Sequence, residues 1–143
     1  MQIALKEAEK AAAEDEVPVG AVAVLDGKII AKAHNRKEHF NDATKHAEML
    51  LLQKCAKKLK NWYLENVEVY VTLEPCPMCA GAMLNARIRS LTYGAAEPKS
   101  GAAGSVLNLL NNPHFNHRVE VKGGVLAQNS ARLLAAFFKK KRN

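Results

Sequence analysis

Across residues 3–14 the apolar side chains Ile3, Leu5, Ala8, Ala11 and Ala12 recur among lysines and glutamates at helical intervals, which predicts an opening helix. The period changes after Pro18. Residues 19–25 form a β-prone run containing Gly20, Asp26-Gly27 is a hairpin signal, and residues 28–33 return as a second strand. Residues 34–45 are polar and irregular and read as a loop. Residues 46–59 have helical composition, with Met49, Leu50, Leu52 and Ala56 as candidate core positions. Trp62 and Tyr63 fall in the connection to residues 67–73, where Val67, Val69 and Val71 alternate as a strand does.

Residues 76–87 predict a second core helix, entered through Pro75 and Pro77, and residues 89–93 a short strand. Residues 94–105 are rich in glycine and alanine and predict a flexible loop, 106–110 one or two helical turns, and 119–121 an edge strand. Residues 129–142 predict a closing helix with a basic end, in which Phe137 and Phe138 either pack in the core or present one stacking ring. A hairpin followed by helix, strand, helix and strand predicts one α/β domain over residues 1–143, its mixed sheet covered by helices. The later crossovers should be parallel and right-handed.

Against this frame the charge is unusual. Lysine and arginine number 21 and aspartate and glutamate 14, and a net charge of +7 favours a polyanionic partner such as nucleic acid over a neutral one. Residues 1–16 carry no apolar signal core, and no run approaches the ~18 apolar residues of a membrane span. Three cysteines make a disulfide scaffold improbable, so a cytoplasmic protein is expected.

The chemistry concentrates in His46-Ala47-Glu48 and Pro75-Cys76-Pro77-Met78-Cys79. Cys76 and Cys79, three apart, turn both sulfurs to one side of a helical turn. The positive end of that helix lowers their pKa toward the thiolate a metal needs. His46 and Glu48 lie about 200° apart around a helix and cannot share a site from its middle. At the first turn they can, because the metal then sits off the helix end. Two helix N-termini are therefore expected to converge on one Zn2+ held by His46, Cys76 and Cys79. Its fourth position is left for water and Glu48 is free to move protons. A closed site would need a fourth ligand. Cys55 lies on the opposite helix face, while His34, His39, His114 and His117 are not excluded by spacing. A redox Cys-x-x-Cys would leave His-Ala-Glu unexplained. The arrangement H-x-E…P-C-x-x-C is the known mark of the zinc-dependent nucleobase deaminases.

On these motifs the chain resembles the bacterial tRNA-specific adenosine deaminases over nearly its whole length. The resemblance extends to Glu16-Val17-Pro18-Val19-Gly20-Ala21, His34-Asn35-Arg36, Thr72-Leu73-Glu74-Pro75-Cys76, Gly101-Ala102-Ala103-Gly104-Ser105 and Asn116-His117-Arg118-Val119-Glu120. It implies the three-layer α/β/α cytidine-deaminase-like fold with a five-stranded sheet, one zinc per subunit and a homodimer. The implied reaction converts adenosine to inosine at the wobble position of tRNA. It implies Glu48 as proton shuttle and Asn35, Ala47 and Val19 in the base pocket. Asn116, with His117 and Arg118, would contact the anticodon stem-loop, and Lys99 and the basic C-terminal residues would meet phosphate. The dimer could use apolar residues of 80–84 and 106–110. Two departures bear on substrate detail: Glu97 stands where family members often carry Asp, and Lys45 replaces a small residue before His46. Three other readings remain: a free nucleobase or nucleoside deaminase acting on guanine or cytosine, an enzyme of single-stranded DNA, and a non-enzymatic zinc-stabilised RNA-binding module.

Overall fold

The computed structural model describes residues 1–142. Its elements run α1 (Gln2–Ala13), β1 (Gly20–Leu25), β2 (Lys28–His34), α2 (Lys37–Phe40), α3 (Ala47–Leu59), β3 (Glu68–Leu73), α4 (Pro77–Ala86), β4 (Ser90–Ala95), β5 (Glu120–Lys122) and α5 (Ala127–Arg142). The strands form one mixed sheet in the order β2-β1-β3-β4-β5. β1 is antiparallel to β2 and β3, while β3, β4 and β5 run parallel. Asp26 and Gly27 join β1 to β2 with φ values of 51° and 77°, the double positive φ of a type I′ hairpin.

Helices cover both faces. α1 lies against Gly20, where an added Cβ would stand 2.1 Å from the Ala4 carbonyl oxygen, and alanines at 4, 8 and 11 allow that approach. α5 joins α1 on this side, and the missing Cβ of Gly94 leaves room for its Ser130. On the other side Ala21, Ala23, Val69 and Val71 meet Leu51, Cys55, Ala80 and Met83 of α3 and α4 in the main core. β2 is a free edge. Lys54 and Lys58 of α3 reach over it and donate to the carbonyls of Lys32 and Ile30, at 2.7 and 3.2 Å.

Several expectations need correction. In α1 Ile3 is exposed and Ala4 buried, because the small-residue face is the one that can approach the sheet. In α3 only Leu52 of the four candidate core residues is buried; Ala47, Leu51 and Cys55 fill the core, and Met49 and Ala56 turn outward toward Trp62. The 34–45 segment contains the short helix α2. Residues 106–110 form no helix: Ala103 and Asn108 are bridged, with Val106 and Leu107 exposed and only Leu110 in the core. The glycine- and alanine-rich loop is not loose, since Gly101, Ala102 and Ala103 are buried. Phe137 and Phe138 stack edge to face, and neither is buried.

Candidate active site

His46 and Cys76 are the residues immediately before α3 and α4, both in extended conformation. Pro77 opens α4, where a missing N–H costs nothing. Neither His46 nor Cys76 hydrogen-bonds back to cap its own helix, so both side chains are free to point off the helix ends. There the Nδ1 of His46 lies 3.6 Å from Cys76 Sγ and 3.5 Å from Cys79 Sγ. All three ligand atoms fall within 4.8 Å of one another, and no fourth His, Cys, Asp or Glu joins them among the described residues. Cys55 sits apart in the core, its thiol pushed up to about 11 by burial. His34 is engaged by the carboxylates of Glu7 and Glu14, and His117 by the Ile88 carbonyl. The geometry is that of a metal centre with three protein ligands.

Protons are shared unequally in this cluster. A hydrogen bond from Cys79 lowers Cys76 to about 4, while Cys79, as donor and deeply buried, is pushed far up. The hydrogen bond to Cys76 raises His46. Glu48, 4% exposed in the first turn of α3, is carried to about 7 by burial.

A cavity of about 190 Å³ opens beside the cluster, bordered by Val19, Asn35, Ala47, Glu48, Leu73 and Glu97. This is below the ~300 Å³ at which sites enclosing whole drug-sized ligands begin, and it suits a single planar ring entering from outside. Asn35 Nδ2 donates to the Val17 carbonyl at 3.3 Å, and its Oδ1 accepts from the Lys37 N–H at 3.4 Å. Asn35 thus sits just past the end of β2 as a buried amide on the cavity wall.

Asn116 and Arg118 do not reach this cavity. Both are exposed, and Asn116 borders a separate hollow with Trp62, Leu84 and Arg87. Sequence reasoning gave no role to two buried glutamates flanking the pocket. Glu16 accepts from the Glu38 and His39 N–H groups at 3.0 and 2.7 Å and fixes α2. Glu74 gathers four donors from the loop after β4. The one available signal was position: Glu16 precedes the apolar run into β1, and Glu74 follows the last residue of β3.

A three-ligand metal cluster at two helix starts, with a buried carboxylate beside it, defines a hydrolytic deaminase site. Residues 1–142 match the MafB19-like deaminase family. The chain is 48% identical to the tRNA-specific adenosine deaminase of Bacillus subtilis, covering 99% of this chain and 88% of that protein. It is 46% identical to that of Aquifex aeolicus, covering 100% and 94%. A structure from work on A-to-I editing by tRNA:A34 deaminases at the wobble position superposes with a TM-score of 0.90 at 45% identity, over 94% of this chain and 97% of that one. A guanine deaminase from Nitrosomonas europaea shares the fold, with a TM-score of 0.82 at 23% identity over 95% and 81%. The chain belongs to the tRNA-specific adenosine deaminase family.

Proposed function

We propose that this chain hydrolyses adenosine to inosine and ammonia at the wobble position of a tRNA anticodon, using one zinc ion per subunit. The observation that carries the reading is the three-ligand cluster opening into a base-sized cavity beside buried Glu48. Zinc suits the donors. Bond lengths of about 2.3 Å to sulfur and 2.1 Å to nitrogen at a tetrahedral angle separate N from S by about 3.6 Å. The observed separations are 3.5 and 3.6 Å.

Held by His46, Cys76 and Cys79, the ion would supply Lewis-acid activation of a water, whose pKa can fall to about 7. Glu48 accepts the water proton and returns it to adenine N1 as C6 is attacked, then helps protonate the departing ammonia. Asn35 offers both a donor and an acceptor to the inserted nucleotide. Val19 walls the ring, and Ala47 presents backbone at the start of α3. A base inside a duplex is out of reach, so a splayed anticodon loop is the fitting substrate. Such an enzyme works in the cytoplasm, and no described helix is long and apolar enough to cross a membrane.

A homodimer completes the proposal. Met49, Leu52, Ala56, Trp62, Ala82 and Ala86 line an apolar groove between α3 and α4, with Trp62 66% exposed. Of the segments expected at the interface, Val106 and Leu107 are exposed and Ala82 and Leu84 half-buried, whereas Ala80, Met83 and Leu110 are core. Asn116 borders a hollow with Trp62 and Leu84 on this side, which supports a role for it at a neighbouring copy's substrate.

The decisive experiment compares inosine formation in an anticodon stem-loop with turnover of a DNA hairpin and of free adenosine, cytosine and guanine, each with and without a zinc chelator. Chelator-sensitive conversion of the RNA is expected. Preference for a free base or for DNA would overturn the tRNA assignment.

A further inference from the structure

The buried groups outside the metal cluster include one that the chemistry does not use. Glu74, 2% exposed, directly follows β3, two residues before Cys76. Its Oε1 accepts from the Glu97 N–H at 3.0 Å and from the Ser105 hydroxyl, and its Oε2 accepts from the Ala103 and Ser105 N–H groups at 3.0 Å each. All four partners are neutral donors on one loop, residues 97–105. The loop closes so tightly that a Cβ on Gly101 would stand 2.4 Å from the Glu74 carboxyl carbon. Ala102 adds a bond from its N–H to the Pro75 carbonyl at 2.8 Å. Glu97 and Ser100 of this loop border the cavity.

A segment of glycine, alanine and serine has little side chain with which to hold a shape, and free in solution it would sample many. Here one carboxylate replaces the missing packing. A buried carboxylate needs its lone pairs filled, and each N–H that fills one fixes a point of the loop. We propose that Glu74 is the positioning residue of the substrate loop: it fixes the rim of the base pocket through Glu97, Ala103 and Ser105 and acts on substrate binding, not on the chemical step. When a binding-competent conformation is only partly populated, apparent affinity falls by that fraction, while turnover at saturation is kept.

The kinetic half of this inference rests on the deaminase reading, and the structural half does not. The test uses the zinc-loaded full chain and its Glu74→Gln variant, which keeps the size but turns an NH2 toward loop N–H groups. KM for the anticodon stem-loop should rise ~10-fold with kcat within ~2-fold. Zinc content should be unchanged. Amide exchange at Glu97, Ala103 and Ser105 should accelerate while Val69 and Val71 of β3 stay protected. Unchanged KM and exchange would overturn the proposal, and so would a fall in kcat together with lost zinc, which would make Glu74 a support for Cys76. Should Glu74→Gln fail to fold, Ser105→Ala and Gly101→Ala disturb the same latch from the loop side, with the same direction expected in KM and exchange. If the unaltered chain converts no stem-loop adenosine, the substrate reading fails. Exchange at the three amides still decides whether Glu74 holds the loop.

Discussion

Glu48 stands beside the metal cluster because a helix begins there. Two positions after a metal-binding imidazole, it could not face the same ion from the middle of α3. Its carboxylate is no ligand, so Glu48→Ala should keep zinc by metal analysis and lose ~10²–10⁴-fold in inosine formation. Turnover near the parent level would remove the shuttle role. The cluster of His46, Cys76 and Cys79 was legible in the sequence because metal ligation dictates both residue type and spacing. Glu74 and Glu16 were not, because a carboxylate that binds backbone N–H groups imposes no motif. The donors of Glu74 lie 23 to 31 residues downstream and are of ordinary composition. Asn116 and Arg118 were read as substrate contacts from resemblance alone, and a single chain leaves them away from the cavity.

Elements were readable in kind and less so in rotation. The hairpin, three later strands and four long helices follow from periodicity and turn residues. The buried face was misread in α1 at Ala4, which takes the contact in place of Ile3, and in α3 at Ala47, Leu51 and Cys55. Gly20 shows the cost of filling that contact: Gly20→Ala puts a Cβ onto α1 backbone and should destabilise the chain by about 1–3 kcal/mol in urea unfolding. A second tie between α1 and β2 is electrostatic. Glu7 accepts from Lys10 Nζ at 2.7 Å and lies 3.4 Å from His34 Nδ1, while His34 Nε2 and Arg36 approach Glu14 at 2.9 and 3.6 Å. Burial raises the Glu7 carboxyl, but the hydrogen bonds from Lys10 and His34 outweigh it, leaving it below its ordinary 4.5. The folded state therefore favours the ionised form more than the unfolded chain does. That stabilisation is present above pH 4.5 and lost as pH falls through the lower folded value. Glu7→Gln should lower the urea midpoint at pH 7, with the gap to the parent closing in more acid solution.

Two distinct hollows lie along α3 and α4. The metal cavity opens at the starts of α3 and α4, and the apolar groove runs between the same two helices around Trp62. Static light scattering should give twice the chain mass at micromolar concentration, and Trp62→Glu should return the monomer and weaken activity on the stem-loop. A monomeric parent would remove the dimer. Net charge of +7 anticipated a polyanionic partner, but composition could not say where the charge would gather.

The two ammonium groups laid along β2 guard the open edge of the sheet. An uncovered strand is a template on which another protein can continue the sheet, and such continuation has no natural end. With Lys54 and Lys58 occupying the outer carbonyls of Ile30 and Lys32, that side resists strand addition. The helical pairing proposed around Trp62 differs in kind: a face that meets its own copy is used up at two, whereas a sheet edge is not.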